Sequence, residues 1–307
     1  MAGVWAIDGV EVPASVARML AYVAGGGAEG IVERGGLKVQ PLAVPGTSVR
    51  VMPGAAMVKN RYPGGSLQSY PIYEPVQQTV PIVATGSGGG RTDLVIARVR
   101  DPQYVAGAAG VTFEVIQGVP AGSGAAYVES LAYPALALAR VTLPASTATV
   151  QAAHITDLRS LSRPRSTRVR RMGAPSIGSL TSSGGTIFPN WATQVEIPSW
   201  ATHMSVVADV LSLRVQGGAA TGRFAVVAGP AGASQFRSAD TIYDVEVIDV
   251  SERVSMAVGG DDVINPSLRG SVQSFRTEAS RLAGGGYLSA ETGTHIVMDI
   301  QFEERVI

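Results

Sequence analysis

Cysteine is absent, so the chain has neither a disulfide frame nor a thiolate metal site. Lysine is almost absent as well: Lys38 and Lys59 are the two lysines, and arginine supplies the remaining basic side chains. Lysine codons are AT-rich, whereas those of the abundant Arg, Ala, Gly and Val are GC-rich, which implies a high-GC genome. Charged residues make up 16% of the chain, against roughly 25% in an ordinary soluble domain. So low a charge density suits a surface covered in part by other subunits. The 24 basic and 24 acidic residues cancel, so no global field draws in nucleic acid or an anionic membrane. No apolar run reaches the length of about 18 residues that membrane insertion requires. The opening MAGVWAIDGVEV carries Asp8 and Glu11 and lacks a basic segment, so it does not read as a signal peptide.

Catalytic and cofactor motifs are also missing. Gly25–Gly30 matches GxGxxG by letter, but a dinucleotide site needs a strand before it and a helix after it. Here a helix precedes and a strand follows, so the glycines read as a helix stop. Thr85–Gly90 (TGSGGG) lacks the GK[ST] of a phosphate loop, and there is no HExxH or GxSxG. His154, His203 and His295 are scattered. Asp240, Asp244, Glu246, Asp249, Glu252, Asp261 and Asp262 form a carboxylate-rich stretch. It lacks EF-hand spacing, and Asp244 and Glu246 share one face of a strand, the pattern of a solvated surface. The expectation is a protein that is not an enzyme, with no cofactor and no metal.

What is present reads mainly as β-structure. One helix is expected near the start, with Pro13 in its first turn, an apolar stripe of Val16, Leu20 and Val23, and Gly25–Gly27 ending it. Short Val/Leu/Ile runs punctuated by Gly and Pro then predict strands over 37–44, 48–52, 55–59, 79–84, 93–100, 111–117 and 136–143. Residues 160–185 shift in composition to Pro, Ser, Gly and Arg, as a domain linker does. Further strands are expected over 193–197, 203–215, 222–228, 242–248, 253–258, 267–275 and 295–302. In the last, Ile296, Met298, Ile300 and Phe302 face one way and His295, Val297, Asp299 and Gln301 the other. The domain reading is 1–160, a β-rich domain with an N-terminal helix; 161–185, a linker; and 186–307, an antiparallel β-sandwich.

Two groups of residues are candidates for contacts. Arg163, Arg165, Arg168, Arg170 and Arg171 lack interleaved aromatics for nucleic-acid stacking and suit acidic surfaces of neighbouring subunits. Trp191, Trp200 and Tyr287 sit beside Pro or Gly turns, where an aromatic can stack on a sugar or anchor an interface; core packing is the competing reading.

Asp93-Leu94-Val95-Ile96-Ala97-Arg98-Val99 resembles a strand of phage tail proteins. Leu136-Ala137-Leu138-Ala139-Arg140-Val141, followed by His154-Ile155-Thr156-Asp157-Leu158-Arg159, resembles the end of the N-terminal domain in minor tail and upper-baseplate proteins of phages of high-GC Gram-positive hosts. The resemblance covers roughly residues 30–160. It implies a virion protein at the tail tip or baseplate that contacts other tail proteins, forms a homo-oligomer with a trimer favoured, and attaches through its N-terminal part. The C-terminal part would then face outward, and its role is left open between binding a host-surface glycan and serving as a structural spacer. Neither nucleic-acid binding nor membrane insertion is expected. A secreted carbohydrate-binding module is the alternative reading, and a glycan-degrading enzyme the third.

Overall fold

The computed structural model describes residues 13–230, 236–246 and 253–306. Asp8, Glu11, Asp249, Glu252 and the end of the strand expected over 242–248 lie outside the described residues. The protein is mainly β. It divides into two units, the first ending at Arg163 and the second beginning at Pro164.

The first unit opens with helix α1 (Ala14–Ala24). Gly26 and Gly27 have φ of 62° and 67°, a left-handed conformation that costs glycine nothing and ends the helix. The expected apolar stripe is only partly correct. Val16 is buried, but Leu20 is 39% and Val23 66% exposed. The side chain that fixes the helix is instead Arg18, which is buried, pairs with Asp101 at 3.0 Å and lies over the rings of Tyr70 and Tyr104. Periodicity could not show this, because a buried arginine scores as polar.

Ten strands follow in three sheets. β1 (Gly30–Ile31), β4 (Gly54–Lys59) and β5 (Ser69–Glu74) form one, and β2 (Val39–Pro41), β3 (Ser48–Val51) and β6 (Gln78–Pro81) a second. The third has the order β10-β9-β7-β8, from β7 (Arg91–Arg100), β8 (Gly110–Ile116), β9 (Ala135–Leu143) and β10 (Ile155–Asp157). Strand β7 is covered on both faces. Val95, Ala97 and Val99 enter the main core of the unit, while Leu94 and Ile96 enter a smaller core with Val128 of α2 (Ala125–Glu129). That double burial explains why its sequence is a continuous apolar run rather than an alternating one.

The second unit folds as a long hairpin rolled into two sheets. Its first long strand pairs with its last: β11 (Ser166–Gly173) with β21 (His295–Glu303). In the same nested way β13 (Thr186–Ile197) pairs with β19 (Ser271–Ala283), β14 (His203–Gln216) with β18 (Arg253–Val263), and β15 (Ala220–Ala228) with β17 (Thr241–Val245). Pairing of β21 with β14, and of β19 with β15, completes two sheets that face each other. This is a jelly roll. The short strands β12 (Gly178–Ser179), β16 (Phe236–Arg237) and β20 (Tyr287–Ala290) extend the sheets. Ile296, Met298, Ile300 and Phe302 are all fully buried, as their alternation requires. Met298, Ile300 and Phe302 pack with Phe224, Val226 and Phe275 from the facing sheet. Each such side chain contributes about 1.5–3 kcal/mol by leaving water.

The stretch read as a linker over 161–185 is corrected by this topology. Its centre is β11, an edge strand of the jelly roll in register with β21 from Ser166↔Glu303 to Gly173↔Ile296. An edge strand needs only one apolar contact to the core, here Val169, and its charges discourage pairing with other chains.

Candidate functional site

The segments that resemble tail proteins meet in one sheet. β9 lies between β7 and β10, so DLVIARV, LALARV and ITD are hydrogen-bonded neighbours. Their polar residues act within the fold. Asp93 is fully buried and takes Arg91 Nε at 2.7 Å, Arg91 Nη2 at 2.8 Å and the Gly118 amide at 3.0 Å. Arg98 lies 4.0 Å from the centre of the Tyr133 ring and pairs with Glu114. Asp157 accepts Nε and Nη2 of Arg159 at 2.9 and 2.7 Å, while Arg159 Nη1 donates to the carbonyls of Arg34 and Gly36. Burial of Asp157 is outweighed by these bonds and by Lys38, and its carboxyl titrates below the ordinary aspartate range. Arg159 thus clamps the turn that leads into β2.

The candidate arginines divide. Arg163 donates to the Ala24 carbonyl at 3.0 Å. Arg165 forks onto Glu304 at 2.8 and 2.9 Å and lies over the Trp200 ring at 5.4 Å. Arg168 forks onto Asp299, whose carboxyl that hydrogen bond holds below its usual range. Arg170 and Arg171 are exposed, and they alone of the five make no hydrogen bond or ion pair among the described residues.

The three candidate aromatics are part-buried and are not brought together. Trp191 packs on the jelly-roll core and lies against Gly173, where an added Cβ would sit 2.0 Å from its Nε1. Trp200 packs on the same core beneath Arg165. Residues 165 and 173 are eight apart along an extended segment, which separates their contact points by about 25 Å. Tyr287 donates to Gln216 Oε1 at 3.1 Å. No single platform contains all three.

Carboxylates and histidines are dispersed. Asp240 binds Arg223 and Arg237 at 3.0 and 2.7 Å, and Asp244 accepts Thr221 Oγ1 at 2.7 Å. His154 caps a short turn, His203 contacts Thr202 Oγ1, and His295 contacts the Gly293 carbonyl. No group of three or more His, Asp or Glu arranged for a metal occurs among the described residues.

Two concavities have polar groups that sequence reasoning missed. On the outer face of the jelly roll, Arg168, Ser205, Val207, Asp209, Asp299 and Gln301 line an open groove of about 350 Å³. In the first unit, Lys38 and Arg50 face Ile155 and Asp157 across a cleft of about 330 Å³. Neither has a local sequence signal, because each is assembled from strands distant in the chain.

No protein-family model and no curated protein matches this chain. Among solved structures, the chain is similar to the VP2 subviral particle of infectious bursal disease virus at 13% identity, covering 91% of this chain and 73% of that one with a TM-score of 0.27. It is also similar to a glycoside hydrolase in complex with neoagarooctaose at 11% identity, covering 83% and 32% with a TM-score of 0.26. Dimeric latent PorU from Porphyromonas gingivalis matches at 9% identity, covering 70% and 22% with a TM-score of 0.26. Superpositions this loose carry no functional argument.

Proposed function

We propose that this chain is a non-enzymatic structural component of a bacteriophage tail tip or baseplate, its first unit serving assembly and its jelly roll facing outward. The observation that carries the reading is the convergence of DLVIARV, LALARV and ITD on adjacent strands of one sheet. Segments that resemble one family at separate places in a chain form a single structural unit here. The sparse charge and the exposed Met19, Leu20 and Val23 of α1 support burial of this unit against other subunits, and a homo-oligomer, with a trimer favoured.

For the jelly roll the ligand class proposed is a host-surface glycan. Asp209, Asp299, Gln301 and Ser205 of the outer groove are the carboxylate, amide and hydroxyl types that hydrogen-bond sugar hydroxyls. Weak contacts of this kind become useful when an oligomer repeats them. Phage particles made without this chain test the proposal. The expected result is tails with an incomplete tip and loss of adsorption to host cells. Particles that assemble, adsorb and infect normally without it would overturn the reading.

A further inference from the structure

We propose that the cleft between β2, β3 and β10 of the first unit binds a ligand that carries one carboxylate on a small apolar body. Val49 and Val51 point into the core with no exposure, so Arg50 between them projects from the opposite face of its sheet, beside Gln40 and Thr79. That face forms one wall of the cleft, and Ile155 and Asp157 form part of the other. Arg50 Nε is buried and has no hydrogen-bond partner among the described residues. Buried donors are usually satisfied in folded proteins, and an unpaired guanidinium beside a cleft can take up an acceptor there.

The charge balance favours an anion. Lys38 and Arg50 line the cleft and form no ion pair among the described residues. Asp157, the one carboxylate on the wall, has both oxygens taken by Arg159 and also accepts the Arg159 amide at 3.0 Å. It therefore makes no hydrogen bond to either cation and acts on Lys38 only at a distance. Pro41 and Ile155, both part-exposed, add a small apolar surface beside the two positive groups. The planar fork of an arginine matches a carboxylate, and the apolar wall rewards a hydrocarbon attached to it. Its volume of about 330 Å³ lies at the small end of ligand pockets. The acid can be free in solution or be the side chain of a neighbouring polypeptide; the chemistry recognised is the same.

Calorimetric titration of the full chain tests this with four probes: benzoate, acetate, benzyl alcohol, and the capped tripeptide acetyl-Val-Glu-Val-amide. Benzoate or the tripeptide is expected to bind at one site at least tenfold tighter than acetate, which lacks the apolar body, and than benzyl alcohol, which lacks the charge. Tighter binding of the tripeptide assigns the acid to a polypeptide, and tighter binding of benzoate to a free molecule. The double variant Lys38→Gln/Arg50→Gln should weaken that binding at least tenfold while retaining the wild-type melting temperature. The wild-type comparison stands without the variant, should the variant fold poorly. If neither acid outbinds acetate and benzyl alcohol, or if a folded double variant binds as the wild type does, the site does not exist.

Discussion

Replacing Arg159 by methionine isolates the clamp at the end of the ITDLR segment. The guanidinium side chain is 1% exposed, and it serves both oxygens of Asp157 and the carbonyls of Arg34 and Gly36. Methionine fills much of the same space, so the change removes the bonds and little of the packing. Two carbonyls then lose their donor, at about 1–3 kcal/mol for each that stays dry. Breaking a fully buried ion pair costs about 3–5 kcal/mol, but the Asp157 side chain is 31% exposed and can rehydrate. With each carbonyl near the low end of its range and the ion pair largely rehydrated, the total is about 3 kcal/mol. For a unit of this size that lowers Tm by about 6–12 °C in scanning calorimetry. Hydrogen exchange should rise first at residues 34–40, which the clamp holds. A variant melting within about 2 °C of wild type, with unchanged exchange there, would refute the assignment of Arg159 as the clamp.

Three further outcomes follow from the same reasoning. Gly222→Ala should destabilise the jelly roll by several kcal/mol in denaturant unfolding, because the new Cβ would lie 2.2 Å from the Ser280 carbonyl oxygen and 2.3 Å from the Tyr243 hydroxyl; wild-type stability would show that the strands are placed differently. Trp200→Ala removes a part-buried ring and its contact with Arg165, and is expected to cost about 1–3 kcal/mol, below the about 3–5 kcal/mol of a fully buried tryptophan. A loss of host adsorption without any loss of stability would instead make Trp200 a ligand contact. For pH, burial raises the Asp157 and Glu114 carboxyls, but arginine hydrogen bonds outweigh it and both titrate below their usual ranges. The unfolded chain therefore binds protons first, so this stabilisation is present above about pH 4 and is lost as pH falls through the lower, folded values. Acid unfolding of the first unit should begin below about pH 4, and Asp157→Asn should flatten that dependence.

Strand positions were legible where burial is one-sided or complete. β21 alternates from Met298 to Glu303, although Val297 on the opposite face is also buried, and β7 runs apolar through its centre because both faces are covered. Several strands were hidden, two of them for opposite reasons. β5 contains Pro71, which argues against a strand, yet β5 lies at a sheet edge, where a missing amide donor is tolerated. β11 carries four arginines in or beside it and one core residue, so its composition resembles a connector. The helix was legible in extent but not in orientation, because Arg18 is buried by Asp101, Gln68 and two tyrosines that lie far along the chain. Neither concavity was legible at all. Lys38, Arg50 and Asp157 meet only because β2, β3 and β10 come together, and a single sequence carries no record of that meeting.

The central claim is that this chain belongs to the tail end of a virion, and immunogold labelling tests it most directly. Virions purified from the culture that produces the chain would be labelled with an antibody to it and viewed in negative stain. The account predicts gold confined to the distal end of the tail. Gold on the capsid head, or on no particle while the chain accumulates free in the medium, would contradict it.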